Sequence, residues 1–141
     1  MLRATLLAFV ALLSLRSAVA GTVSFNRDIR PILSANCFPC HGADEKRREA
    51  GRRLDLPESA YAERKGVRAV VPRNLEQSEL WWRISSKDED EVMPPPDAHR
   101  APLKPEERAL IKRWIEEGAT FEAHWAFQPV ARPPVPRAAG G

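Results

Sequence analysis

Apolar residues recur at helical spacing in three separate stretches of this 141-residue chain. Phe25, Ile29, Ile32 and Leu33 stand at i, i+4, i+7 and i+8. That is the repeat of one helix face, not the alternation of a half-buried strand. Leu80, Trp81 and Ile84 form a second face, and Asn74 with Gln77 three residues on reads as a capping box ahead of it. A helix is therefore expected from about residue 75 to residue 85. Leu110, Ile111, Trp114 and Ile115 form the third face. Pro105 suits the first helical position, Glu106 and Glu107 suit the positive end of the dipole, and Gly118 suits the position past the end. This predicts a helix over 104–118. A further short helix is expected over 57–64, and Pro31 falls in the first turns of the N-terminal helix or kinks it. No alternating strand pattern of useful length occurs. The expected fold is all-α, with helices joined by long loops.

The apolar run from Leu6 to Leu15 is of a different kind. It follows Arg3, precedes Arg16, and leads to Ala18-Val19-Ala20, a small-x-small cleavage pattern. Residues 1–20 are expected to be an export signal, with a mature chain starting at Gly21. The run is short for a bilayer span, and retention as an uncleaved anchor is the alternative. No Cys follows it, which argues against a lipoprotein, and no other apolar run could cross a membrane. The mature chain is expected to work in the periplasm or an equivalent exported space, as a domain over 21–120 with a Pro/Ala-rich flexible tail over 121–141.

Both cysteines of the chain lie in Cys37-Phe38-Pro39-Cys40-His41. C-x-x-C-H is the spacing at which two thiols bond to the vinyl groups of one haem c and the next imidazole takes the iron. Two rivals remain. The Pro before Cys40 also fits a thioredoxin-type redox disulfide, which needs a buried strand upstream and a helix starting at the first Cys. A zinc site needs a further ligand from His99, His124 or a carboxylate. The helical period upstream of Cys37 disfavours the first, and irregular ligand spacing disfavours the second.

Beyond the leader the chain has a single methionine, Met93, after Asp88-Glu89-Asp90-Glu91 and before Pro94-Pro95-Pro96. A core Met normally sits in an apolar periodic segment. Prolines instead stiffen an extended loop able to hold a thioether against a haem face. Met93 is thus the candidate sixth ligand opposite His41, and Met/His ligation raises the iron potential. His99 is the main competitor, with His124 behind it. The alternative for Met93 is a packing or exposed residue in a linker.

Net charge adds little. The formal charge is +3, and without Arg3 and Arg16 the count is 20 basic to 19 acidic side chains. Nucleic acid is not an expected partner. Lys46, Arg47, Arg48, Arg52 and Arg53 cluster after the motif. They could steer an acidic redox partner or meet a haem propionate, or simply form a solvated loop. Trp81 or Trp114 is expected to touch the porphyrin, with Trp82 more exposed. No catalytic constellation is visible, so the chain is not expected to be an enzyme.

These residues together resemble the planctomycete-type cytochrome c domain. The segments that carry the resemblance are Val23-Ser24-Phe25-Asn26-Arg27-Asp28-Ile29-Arg30-Pro31-Ile32-Leu33, the motif through Gly42, Gly51-Arg52-Arg53-Leu54-Asp55, Ser78-Glu79-Leu80 with Arg83-Ile84, Met93-Pro94-Pro95-Pro96, and Lys112-Arg113-Trp114-Ile115 with Gly118-Ala119. The resemblance spans about 23–136 and implies a small class-I cytochrome c-like domain. It implies one covalent haem c held by Cys37 and Cys40, with His41 as proximal and Met93 as distal ligand. Arg53 matches a family position and is the candidate for a propionate or a structural ion pair. Two departures stand out: the family usually has Leu at position 52 and Gly at position 73, where this chain has arginines. Family members usually continue into two large domains, so the expectation is a truncated product or a stand-alone haem module. The first functional expectation is a one-electron carrier serving a redox protein or fused oxidoreductase domains. Its alternatives are a haem-based sensory or docking module with an open distal site, and an electron-entry domain for a partner oxidoreductase.

Overall fold

The computed structural model describes residues 21–123 and Ala126. The proposed leader over 1–20, His124, Trp125 and the tail over 127–141 lie outside the described residues.

The N-terminal apolar stripe forms helix as its period requires. Phe25–Ile29 is a π-helical turn that runs into α1, Arg30–Asn36. Ser24 caps it by accepting from the Arg27 N–H, while its own N–H donates to Asp28. Pro31 sits in the first turn of α1, where a missing N–H costs nothing. All four stripe residues are buried, Phe25 and Ile29 completely. Full burial of a side chain such as Phe25 contributes on the order of 2 kcal/mol. Cys37 ends α1, and Phe38–His41 forms the short helix α2.

After a loop with a 3-10 turn at Glu49–Gly51, α3 runs over Pro57–Tyr61. It is shorter than the expected 57–64. The chain turns at Lys65 and Gly66, both at positive φ, so Glu63–Arg64 (β1) pairs antiparallel with Val67–Arg68 (β2). Two-residue strands leave no alternation to find in a sequence.

The helix expected over 75–85 begins four residues late: α4 is Glu79–Ser85. Asn74 does cap the Gln77 N–H, at 3.0 Å, but it closes a turn rather than a helix. Ser78 is fully buried; its Oγ accepts from the Val71 N–H and lies 2.6 Å from the Asn74 carbonyl oxygen. Leu80 N–H then donates outward to the Ala69 carbonyl. Tertiary bonds have taken the donors and acceptors that an extra helical turn would use.

The last helix, α5, is Pro105–Glu116, close to the expected bounds. Glu107 accepts from the Lys104 N–H at its start. At its end Gly118 N–H donates to Ile115 and Ala119 N–H to Trp114, with Gly118 at φ 116°. This is a Schellman closure around the predicted glycine. Arg73, which stands where the resemblance has Gly, adopts φ 63°. The left-handed turn is kept at the conformational cost of a side chain there, and its N–H is fixed on the Ile115 carbonyl.

α5 and the N-terminal turn pack through an aromatic cluster. Trp114 and Phe121 both contact Phe25, and Tyr61 meets Phe121 edge-on. The Glu122 carboxylate accepts from the Phe25 and Asn26 N–H groups and the Ser24 hydroxyl. A residue from past α5 thus satisfies the donors of the first helical turn, where negative charge is favoured. No helix among the described residues is long and apolar enough to cross a membrane.

Candidate functional site

A cavity of about 210 Å³ lies between the C-x-x-C-H turn and α4. Cys37 and His41 come from the α1–α2 junction, Ala50, Arg52 and Leu54 from the following loop, and Ala69 from the segment after β2. Glu79, Leu80, Arg83 and Ile84 come from α4, and Met93 from the proline-stiffened loop. The wall is apolar except for His41, Arg52, Glu79 and Arg83.

Local structure dictates how the motif is presented. His41 N–H donates to the Cys37 carbonyl at 2.7 Å, and Cys40 N–H to the same oxygen at 3.1 Å. One helical turn therefore sets the two thiols and the imidazole on adjoining positions. Leu54 N–H donates to the His41 carbonyl at 2.8 Å, which folds the 49–54 loop back onto the turn. Ala50 and Gly51 both take left-handed φ there.

Gly42 ends the turn where no side chain fits. A Cβ at this position would lie 2.4 Å from the Phe38 carbonyl oxygen, which belongs to the same turn as His41. Gly42→Ala is expected to cost about 1–3 kcal/mol and to displace His41. Denaturant unfolding of the holoprotein measures it, and an unchanged midpoint would contradict the close approach.

Met93 is placed by main-chain and ionic contacts. Its N–H donates to the Arg83 carbonyl at 3.1 Å. Arg83 itself bonds Glu79 on α4 and both the side chain and the carbonyl of Glu91. The acidic run before Met93 is thus tied to α4 through Arg83, and this draws the methionine to the cavity. The Met93–Pro94 peptide is cis.

The other candidate residues fall elsewhere. Cys40 is half-buried beside the cavity and does not line it. His99 is exposed at the end of a 3-10 turn and is not among the lining residues. His124 lies outside the described residues. Arg53 is absent from the lining; its guanidinium bonds Asp55 at 2.5 and 3.0 Å. Trp82 is exposed, as expected, at 48%. The expectation that Trp81 or Trp114 faces the cavity is corrected. Trp114 is spent on the aromatic cluster, and Trp81 faces a surface recess with Leu75 and Trp82. Leu80 and Ile84 take the cavity-facing stripe of α4, one helical step from Trp81.

The electrostatics suit neutral donors. Burial pushes His41 below the usual imidazole range, against the opposing influence of the Glu49 carbonyl. A neutral imidazole is the form that ligates metal. Its Nδ1 is buried without a hydrogen-bond partner. Burial pushes the Cys37 thiol up to about 12, with Arg100 acting in the opposite direction. Reactive redox cysteines and zinc thiolates need the reverse shift. The segment before Cys37 is helical rather than a strand, and among the described residues no group of three or more His, Cys, Asp or Glu could hold a metal ion. The thioredoxin reading thus lacks the upstream strand it requires. The Cys37 thiol with Cys40 one turn on, the His41 imidazole, the Met93 thioether and an apolar wall together form a donor set that suits haem c.

Arg52 is the lining residue that the sequence did not single out as the one facing the site. Its Nη2 donates to the Val67 carbonyl at 3.0 Å, while Nη1 is buried without a partner. The extended backbone at Arg52 sends it and Arg53 to opposite sides.

Comparison with known proteins agrees with this chemistry. Residues 37–97 match the family model described as Planctomycete cytochrome C. No curated protein and no solved structure matches the chain.

Proposed function

We propose that this chain, which carries a planctomycete-type cytochrome c domain over residues 37–97, binds one haem c and carries single electrons in an exported compartment. Cys37 and Cys40 hold the group covalently, His41 is the proximal ligand and Met93 the distal one. When bound, the haem iron supplies one-electron redox chemistry between its two oxidation states, with its potential set by ligands and burial. The carrying observation is that Met93, distant in sequence, lines the same cavity as Cys37 and His41 of the motif.

The residues of the chain have distinct tasks in this reading. The Cys37–His41 turn orients the imidazole beside the attachment thiols. Arg83, clamped by Glu79 and Glu91, holds the backbone that presents Met93. Leu54, Ala69, Leu80 and Ile84 exclude water, which favours the less charged state of a buried redox centre. Contact between the N-terminal turn and α5 through Phe25, Trp114 and Phe121 closes the domain. Cytochrome c domains generally transfer electrons rather than catalyse, and the family match supports that reading here. The electron partner is a redox protein or a fused oxidoreductase domain.

The test is purification after expression in a host that matures c-type cytochromes. Haem that stays with the protein through acid–organic extraction, and a weak far-red thioether–iron band in the oxidised state, are expected. Haem that extracts completely would refute covalent attachment. A high-spin oxidised spectrum would refute Met93 ligation and favour a sensory module with an open distal position.

A further inference from the structure

We propose that Arg52 anchors one of the two propionates of haem c at the cavity wall, an inference that rests on the haem reading above. The guanidinium is half used. One end donates to the Val67 carbonyl, and the other, Nη1, is buried in the cavity wall without a partner. A buried charged donor left unpaired costs free energy, and native structures satisfy such groups.

The unmet donor calls for an acceptor brought by the occupant. Three of the neighbouring arginines already have partners. Arg83 is committed to Glu79 and Glu91, Arg53 to Asp55, and Arg48 to the Gly42 and Ala43 carbonyls. Glu79, the carboxylate of the same wall, forms its ion pair with Arg83 rather than Arg52. The lining therefore holds two arginines, Arg52 and Arg83, and a single carboxylate, Glu79. A porphyrin carrying two carboxylates supplies what is missing: a planar acceptor for a planar fork. Arg52 is also pre-set. Its N–H is fixed on the Glu49 carbonyl at 3.1 Å, and its other guanidinium end is fixed on β2. Burial pushes the guanidinium downward from its ordinary value, against the opposing influence of the Glu79 carboxylate. Arg53, the neighbour that matches the family position, is already spent on Asp55.

The experiment uses the holoprotein and the variants Arg52→Gln and Arg52→Lys, read by midpoint potential and by the propionate bending vibration in resonance Raman spectra. An unneutralised propionate favours ferric iron. Arg52→Gln, which keeps a donor for Val67, is expected to shift the ferric/ferrous equilibrium about tenfold toward ferric, ~59 mV for one electron, and to move the vibration. Arg52→Lys keeps the charge and should restore most of the potential. A Gln variant with wild-type potential and vibration would overturn the proposal, leaving Arg52 as a brace for Val67 alone. Equal falls in Gln and Lys would also overturn it, because they report a displaced loop rather than a lost charge. Wild-type protein without covalent haem would instead refute the underlying reading, and extraction identifies that case before any variant is measured.

Discussion

The double variant Cys37→Ala, Cys40→Ala is expected to release all of its haem on acid–organic extraction, whereas each single variant is expected to retain haem through one thioether. The two thiols are the only cysteines of the chain, so no other residue can replace the covalent link. What remains is an equilibrium complex held by His41, Met93 and the apolar wall, and dilution can dissociate it. The consequence for folding is also large. Without the group, Leu54, Ala69, Leu80 and Ile84 lose their apolar cover, at roughly 25 cal/mol per Å² of surface returned to water. The double variant is therefore expected to melt far below the holoprotein in a calorimetric scan, with excess haem restoring part of the difference by mass action. Retention of haem by the double variant after extraction would exclude the thioether assignment.

Met93→Ala is expected to abolish the far-red band and to convert the oxidised protein from low spin to high spin, with covalent haem retained. Loss of a thioether ligand lowers the potential. A fall on the order of 0.1–0.2 V is expected, within the ~0.8 V that axial ligands span. The reasoning is structural as well as chemical. Met93 lines the cavity, whereas His99 is exposed and not part of its lining. His99→Ala should leave spectrum and potential unchanged, which makes it the control. If His99→Ala removed the low-spin spectrum while Met93→Ala did not, the ligand assignment would be reversed.

Much of this site was open to reading from local pattern. The motif from Cys37 to His41 needs only one helical turn to set out its groups, so its chemistry is encoded in five consecutive residues. The helical stripes at Phe25, Ile29, Ile32, Leu33 and at Ile111, Trp114, Ile115 are all buried, because a period of 3.6 survives any way of packing the helix. Gly118 ends α5 as its position after the last apolar residue required. The candidacy of Met93 came from its setting among prolines, a local property.

Other features depend on partners distant in the chain. The start of α4 moved because Ser78 and Leu80 bond to Val71 and Ala69. Trp114 went to the aromatic cluster rather than the cavity because Phe25 and Phe121 meet it there. The hairpin at 63–68 was too short to leave a period. The choice between Arg52 and Arg53 rested on which side of an extended segment faces the cavity, and two adjacent arginines carry no local sign of that direction. The sequence alone determined the C-x-x-C-H turn, the helical class and the glycine that closes α5, since each depends on residues within a turn or two of one another. Only the tertiary structure decided that Met93 rather than His99 reaches the cavity, and that Arg52 rather than Arg53 carries the unmet donor. Those outcomes depend on the Arg83 clamp with Glu79 and Glu91 and on the Val67 and Asp55 contacts, whose directions are set by packing.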